Sequence, residues 1–305
     1  MLSLTPVATP TPGAFDQLRR LVLDSLSSAH SRRAYGQALD HFFAWYRFEN
    51  PGPFNRAVVQ AYRAHLESEG LAPATINLRL AALRKLAAEA AENGILDRSV
   101  AQGVTSLKGA RQAGVRAGNW LTADQARQLL AQPDASTLQG KRDRAILALL
   151  ICCGLRRTEL TALTSRDLAQ REGRWVIIDL KGKGSRLRTV PVPNSVKSAI
   201  DEWTRTANVT EGPLFRSTRH PGRATPLTGK LIWHIVARYA ARAGLPDLAP
   251  HDLRRTCAKL CRASGGDLEQ IQFLLGHTSI QTTERYLGTR QDLVHAVNDN
   301  LLSER

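Results

Sequence analysis

The feature that most constrains the fold is an interruption in the spacing of apolar residues. Between Phe15 and Ala101, apolar side chains recur at the three- and four-residue intervals that are typical of amphipathic helices. From Val104 to Gly118 this period gives way to small, polar and basic residues, which indicates a linker. A regular pattern resumes at Leu121, so the 305-residue chain is predicted to form two domains, each able to bury its own core.

The first domain is predicted to be a bundle of about four helices. Apolar stripes run from Tyr35 to Tyr46, from Val58 to Leu66 and from Ile76 to Ala87, and each gives its helix one apolar face. Three basic residues of the third helix must lie off this face, where they could contact phosphate or simply be solvated: Arg79, Arg84 and Lys85.

The second domain is predicted to be mostly helical with one small antiparallel sheet. Residues 144–163 resemble a long buried helix that is bent or interrupted at Gly154. Two β-rich runs, 175–180 and 187–192, flank a glycine-containing turn and predict a hairpin. No long alternation of strands and helices follows, so a large parallel sheet is not expected. Four further helices are predicted, at residues 231–243, 253–263, 268–275 and 280–287. The fold class is therefore mainly α.

The charge of the chain indicates a polyanionic partner. Lys and Arg number 42 against 27 Asp and Glu, which gives a net charge of +15. The excess is shared, with 14 basic against 9 acidic residues up to Gly118 and 28 against 18 after it. Arg makes up 34 of the 42 basic residues and suits bidentate phosphate contacts, although a GC-rich genome would also favour its codons. Nucleic acid is the first candidate, and its binding should weaken with salt.

The sequence predicts a cytoplasmic protein without a membrane anchor. A membrane helix would need about 18 apolar residues, and the run from Ala145 to Cys153 reaches only half that length. The Pro- and Thr-rich residues 1–13 lack the features of a secretory signal and are predicted to be a disordered tail. Four cysteines are too few for a disulfide framework, and the i, i+4 pair Cys257 and Cys261 lacks the companions of a zinc site. We therefore expect a reducing cytosol and no metal.

Several residues suit the cleavage of a phosphodiester. His251 and Arg254 lie three residues apart after Pro250, so both project from one face near the positive end of a helix, where an anion could bind. Gly276 is expected to cap the helix that precedes it and to place His277 on a turn before the helix of Tyr286. A tyrosine hydroxyl is a possible nucleophile toward phosphorus.

Motifs of the second domain resemble the tyrosine recombinase, or phage integrase, family, and the helical bundle of the first domain does so too. The segment from Phe15 to Ala101 is similar to its N-terminal SAM-like core-binding domain, and the spacing of nine residues between His277 and Tyr286 also fits. Five short motifs match the family in order: Gly154-Leu155-Arg156-Arg157-Thr158-Glu159-Leu160, Gly182-Lys183-Gly184, His251-Asp252-Leu253-Arg254, Leu275-Gly276-His277 and Tyr286.

The resemblance implies the parts of a catalytic site. Tyr286 would attack the phosphorus and form a 3′-phosphotyrosine, while Arg156 and Arg254 would bind the non-bridging oxygens. Glu159 lies three residues after Arg156 and would orient that arginine or a neighbouring side chain. This chemistry needs no metal and no nucleotide cofactor.

Three further residues would handle protons or bind the phosphate. Lys183 would protonate the leaving 5′ oxygen, His251 would assist proton transfer at the nucleophile, and His277 would donate to the phosphate or support the site. Arg255 and Cys257 stand where many members of the family have His and Phe, which changes packing behind the site and removes no proposed donor.

Each of these residues also has a purely structural interpretation when taken singly. Arg156 could be a charge at the C-terminal end of its helix, His251 a capping residue and Tyr286 a core aromatic. Lys183 could be one of four basic residues on a solvated hairpin, together with Lys181, Arg186 and Arg188. Their joint occurrence in the order of the family favours catalysis.

The resemblance also sets the expected domains and assembly. We expect a core-binding domain at residues 14–103, a basic linker at 104–119 and a catalytic domain at 120–305. The apolar stripe within residues 288–305 would dock on a neighbouring protomer, so that four copies form a tetramer on two duplexes of DNA. The implied function is site-specific recombination or integration through a Holliday junction. Two alternatives are a monomeric type IB topoisomerase and a DNA-binding regulator without catalysis.

Overall fold

The computed structural model describes residues 12–111, 119–182, 187–219, 224–277 and 279–287, and gives the backbone alone for 12–15, 285 and 286. Contacts within the chain divide it into two compact units, residues 1–116 and 117–305. Of the predicted tail, residues 1–11 lie outside the described part, while Pro12 and Gly13 belong to the first helix. The predicted docking tail at 288–305 lies outside the described residues.

The first unit contains five helices among its described residues, where three apolar stripes were recognised and about four helices were predicted. The cores of the three predicted helices are buried as expected, with Phe42, Tyr62 and Leu80 almost inaccessible to solvent. The two helices without a recognised stripe lie at the two ends of the unit and are 13 and 8 residues long. In chain order the helices are α1 Pro12–Asp24, α2 Ala29–Glu49, α3 Arg56–Ser68, α4 Pro73–Glu92 and α5 Arg98–Thr105.

The start of the predicted linker packs on the first unit instead of leaving it. Helix α5 runs through Thr105, and Leu107 is buried. Arg84 donates to the carbonyl of Leu107 at 2.6 Å, so this arginine of α4 holds the chain that follows α5. Its neighbour Lys85 pairs with Glu89 at 2.6 Å. These two bases of α4 therefore have partners within the chain.

The second unit is also mostly helical in its described residues. Its core forms around α7, which is buried along most of its length. Helix α9 was not among the predicted helices; it buries Val196, Ile200 and Trp203 on one face. The helices are α6 Ala123–Leu130, α7 Leu138–Cys152, α8 Arg157–Ala162, α9 Asn194–Thr206, α10 Gly229–Arg242, α11 Pro250–Ala263, α12 Leu268–Leu275 and α13 Ile280–Leu287.

A three-stranded antiparallel sheet follows α8, with strands in the order β1 Leu168–Arg171, β2 Arg174–Lys181 and β3 Leu187–Pro191. The β2–β3 hairpin was predicted, whereas β1 was not. The register between β2 and β3 shifts between Ile177 and Leu180, where Asp179 adopts a left-handed backbone at φ 51°. This bulge bends the part of the hairpin that leads to its tip.

The architecture is therefore the expected one, mainly α with one small antiparallel sheet. Among the helices of the described ranges, none combines the length and the apolar composition needed to cross a bilayer.

Candidate active site

Gly154 follows α7 and turns the chain so that Arg156 immediately precedes α8. Its φ of 58° lies in the left-handed region that favours glycine, and a Cβ there would lie 2.7 Å from Cδ2 of Leu275. Arg156 is the residue before the first turn of α8. The structural alternative that placed Arg156 at the C-terminal end of its helix is therefore wrong, because the predicted long helix is broken at Gly154 and Arg156 starts the second part.

Glu159 fixes Arg156 at this helix start. Its Oε2 accepts the backbone N–H of Arg156 at 2.7 Å, and its Oε1 accepts Nη1 of the same residue at 2.6 Å. A glutamate at this position commonly closes the first turn of a helix in this way. The prediction that Glu159 orients Arg156 or a neighbouring side chain agrees with this geometry.

Arg188 on β3 is the second partner of Glu159. Its Nη1 and Nη2 donate to the two carboxylate oxygens at 2.8 and 2.9 Å, and its side chain is only 9% exposed. The interpretation of Arg188 as one of several bases on a solvated hairpin is therefore wrong. Burial raises the pKa of Glu159, but the hydrogen bonds from Arg188 and Arg156 outweigh it and lower that pKa to about 2.

Helix α11 supplies His251 and Arg254 from its first turns. Pro250 occupies the first helical position, where its missing N–H costs nothing, and Asp252 accepts the backbone N–H of Ala249 at 3.0 Å. The side chain of Arg254 is buried, with 2% of the residue exposed, and donates through Nη1 to the carbonyl of Gly154. The start of α11 is thus tied to the turn before Arg156.

Three arginines bind consecutive carbonyl groups at the end of α12, residues 274–276. Arg188 donates from Nε to the first at 3.1 Å, Arg254 from Nη2 to the second, and Arg156 from Nη2 to the third at 3.3 Å. The last carbonyls of a helix have no partner within it and carry partial negative charge, so cations are stabilised there. The end of α12 therefore fixes all three guanidinium groups relative to one another.

Gly276 ends α12, as the sequence predicted, and directs His277 toward α13. Its φ of 61° lies in the left-handed region. The imidazole Nδ1 of His277 lies 3.0 Å from Oγ1 of Thr283, which is fully buried on α13. Leu287, one turn further, is also buried. The backbone of Tyr286 is thereby held between these contacts, although its side chain is outside the described part.

The surroundings of both histidines of the site lower their pKa values and so favour the neutral form. Burial, followed by the charges of Arg254 and Arg156, lowers the pKa of His277 to about 4. Burial, followed by the charges of Arg255 and Arg254, also lowers the pKa of His251. Neutral imidazoles beside fixed cations can each exchange a proton with a bound group.

The structure brings four of the six predicted residues together: Arg156, His251 and Arg254 line one open cleft of about 400 Å³, and His277 is close enough for their charges to affect it. Lys183 lies outside the described residues. Sequence reasoning did not assign Arg188 to the site, nor Trp233, whose indole also lines the cleft. A cluster of guanidinium groups around an open cleft is suited to binding a phosphate.

The fold and this arrangement agree with comparisons to known proteins. Residues 119–292 match the phage integrase family, and residues 16–94 match the N-terminal SAM-like domain of phage integrases. The chain therefore belongs to the phage integrase family and is an enzyme of the tyrosine recombinase type.

Individual relatives support this membership over most of the chain. A tyrosine recombinase of Synechococcus elongatus is 32% identical over 301 residues, which cover 92% of each protein. The tyrosine recombinase XerC of Thermodesulfovibrio yellowstonii is 31% identical over 290 residues, again 92% of each.

Solved structures show the same fold at lower sequence identity. The XerH site-specific recombinase, bound to its palindromic difH substrate in a post-cleavage complex, aligns with a TM-score of 0.70 and 20% identity over 92% of this chain and 82% of its own. A lambda integrase dimer bound to a COC′ core site gives a TM-score of 0.71 and 18% identity over 95% and 81%.

Proposed function

We propose that this chain is a site-specific recombinase that cuts and rejoins double-stranded DNA through a phosphotyrosine formed by Tyr286. The observation that carries the proposal is the set of guanidinium groups of Arg156 and Arg254, which line one cleft and are fixed by main-chain oxygens at the end of α12. Fixed cations stabilise the charge that develops on phosphorus without reorganising during the reaction. A regulator that only binds DNA would not need this arrangement at a cleft.

The proposed cleavage is a single displacement at phosphorus. The hydroxyl oxygen of Tyr286 bonds to phosphorus as the bond to the 5′ oxygen breaks, and Lys183 gives a proton to that oxygen. His251 takes the proton of the tyrosine, and His277 donates to the phosphate. The products are a 3′-phosphotyrosine and a 5′ hydroxyl, and attack by such a hydroxyl reverses the steps. The phosphotyrosine ester keeps the bond energy of the phosphodiester that was broken, so rejoining needs no metal and no ATP.

The partners proposed are DNA recombination sites and further copies of the chain. The net charge of +15 favours a polyanion, and XerH and lambda integrase were solved with DNA. We propose that four copies act on two duplexes through a Holliday junction, with residues 288–305 in the contacts between protomers. The four cysteines are free thiols, which fits a cytoplasmic location. The gene could belong to a mobile element or serve chromosome-dimer resolution.

The proposal is tested by trapping the covalent intermediate. The full-length protein is mixed with sheared DNA of its own organism, denatured, and the DNA attached to protein is sequenced; the most enriched sequence is then made as a nicked duplex. Wild type should form a covalent adduct on this duplex and Tyr286→Phe should form none. The matched control is Tyr239→Phe, which also removes one hydroxyl, here bonded to Asp143 at 3.1 Å, and should keep the adduct.

An adduct that persists in Tyr286→Phe would show that another residue is the nucleophile. The same preparation separates recombination from topoisomerase activity. A recombinase should convert paired sites into four-way junctions, with four protomers per junction in sedimentation experiments. Relaxation of supercoiled plasmids of any sequence, without junctions, would instead support a type IB topoisomerase.

A further inference from the structure

The side chain of Arg188 joins three parts of the candidate active site. It belongs to β3, binds both carboxylate oxygens of Glu159 on α8, and donates from Nε to the carbonyl of Leu274 on α12. It also packs closely against Gly276, where an added Cβ would be 2.8 Å from Cδ of Arg188. A lysine could not make these contacts, because they need the planar fork of a guanidinium.

The charges of this cluster explain why two arginines share one carboxylate. Glu159 is 2% exposed at its side chain and carries one negative charge, and Arg156, which donates to it at 2.6 Å, is 29% exposed. If Arg156 were the only side-chain partner of this buried carboxylate, the charges of the two would cancel and little would be left for a phosphate. The bidentate bonds from Arg188 satisfy Glu159 from the buried side.

We infer that Arg188 is a positioning residue for strand cleavage: it neutralises and fixes Glu159, so that Glu159 orients Arg156 without cancelling the charge that Arg156 offers to the phosphate. This inference rests on the proposed function, in which Arg156 binds a non-bridging oxygen. Arg188 itself does not contact the substrate.

The test compares cleavage rates on the nicked duplex identified by adduct mapping. Single-turnover formation of the adduct should be about 100-fold slower in Arg188→Met, because displacement of a catalytic group by about 1 Å has an effect of that order. Arg188→Lys keeps the positive charge but not the fork, so its rate should fall between those of Arg188→Met and wild type. This second variant preserves a cation beside Glu159 and guards against loss of folding.

A substrate with an uncharged linkage at the cleaved position distinguishes the loss of Arg156 positioning from a general loss of structure. A duplex is made with a methyl group in place of one non-bridging oxygen at the cleaved position, and its two diastereomers are tested separately. When the methyl group replaces the oxygen that Arg156 binds, Arg156 contributes little in any variant. The ratio of wild-type to Arg188→Met rates should then fall from about 100 to below about 10 on that diastereomer. Partial unfolding would leave the ratio unchanged on every substrate.

The rates can also be compared in an Arg156→Lys background, which gives an answer even if the neutral duplex is cut too slowly to measure. Since Arg188 acts through Arg156, the double variant Arg156→Lys, Arg188→Met should cleave less than about tenfold more slowly than Arg156→Lys alone. Undiminished ratios on both diastereomers and full additivity in this background would overturn the inference, as would wild-type rates in both Arg188 variants.

Arg142 provides the matched control. Its side chain is 4% exposed and donates from Nε and Nη2 to the fully buried Asp143 at 3.0 and 2.8 Å, so Arg142→Met removes a comparable buried ion pair away from the cleft. This variant should melt at a lower temperature and still cleave at the wild-type rate once folded. If wild type itself forms no adduct, the proposed function fails, whereas normal adduct formation with an unaffected Arg188 variant removes only the inference.

Discussion

At the scale of single residues, the candidate site is built around a buried carboxylate, that of Glu159. Glu159 accepts hydrogen bonds from the backbone and side chain of Arg156 and from Arg188, and these bonds keep it ionised despite its burial. Removing one partner of such a cluster leaves a buried charge incompletely satisfied, which is costly in a low-dielectric environment. The orientation of Arg156 is thus linked to the ionisation of a residue outside the cleft.

His277 should make the stability of the folded protein depend on pH. The folded protein lowers the pKa of His277 from 6.5 to about 4, so the unfolded chain binds more protons between these values. The contribution of His277 to the free energy of unfolding should therefore be fully present above pH 6.5 and decline as the pH falls toward 4. The loss should be on the order of 1–2 kcal/mol at pH 5. Thermal denaturation between pH 7.5 and 5 measures this loss.

His277→Asn is the appropriate comparison, because an asparagine amide can still reach Thr283 but does not titrate. Its stability should decline less steeply with acid than that of wild type. Equal slopes for both proteins would show that other groups, such as His251, dominate the pH dependence.

The placement of Arg156, His251, Arg254 and His277 around one site could be predicted from the sequence because each lies in a short motif. The position of Arg188 could not, since its partner Glu159 is 29 residues away and the pair forms only when β3 packs beside α8. The basic character of its surroundings suggested a solvated hairpin, whereas the fold buries this one member. Local patterns identify candidate donors, but they do not show which donors share an acceptor.

At the scale of elements, the end of α12 fixes the three arginines of the candidate site. A substitution of Gly276 tests how much this contact contributes. Alanine at this position would adopt an unfavourable left-handed backbone, which costs about 1–2 kcal/mol, and its Cβ would press on Arg188, which cannot move because its guanidinium is bonded on two sides. Gly276→Ala should therefore lose roughly 2–4 kcal/mol in chemical denaturation and slow cleavage.

Gly244 offers a matched comparison at the end of α10. It has a similar φ of 67°, but nothing lies within 4 Å of an added Cβ. Gly244→Ala should show only the backbone cost and an unchanged cleavage rate. If the two substitutions have the same effect, the contact with Arg188 has no energetic role.

The elements that the sequence did not predict are explained by their patterns. Helix α9 carries Val196, Ile200 and Trp203 at helical spacing, so its apolar face is visible in the sequence. Strand β1 has four residues and no clear alternation, so only its pairing with β2 defines it. Helices α2 and α4 were predicted because they are long, 21 and 20 residues, so that apolar residues recur over several turns.

At the scale of the whole molecule, the distribution of charge predicts how binding responds to salt. Both halves of the chain carry an excess of basic residues, 14 against 9 and 28 against 18, so many phosphates can be neutralised together. Each neutralised phosphate releases counterions on binding. The affinity of the full chain should therefore fall by at least about 1000-fold between 50 and 200 mM salt.

Fluorescence anisotropy on the mapped site and on an unrelated duplex of equal length would measure this response. Both duplexes should show steep slopes, because phosphate contacts do not depend on sequence, while the mapped site binds more tightly throughout. A shallow slope on both would mean that few of the basic residues contact phosphate.

The three arginines that bind residues 274–276 attach to main-chain oxygens, which every amino acid possesses. The side chains of this turn can therefore drift during evolution without detaching the arginines, provided that the last position remains glycine. The arginines themselves cannot be replaced in this way, since no other side chain reproduces the fork of an arginine. Homologous enzymes could thus acquire new surfaces beside the cleft, and with them new neighbours, while the spacing of the three guanidinium groups stays the same.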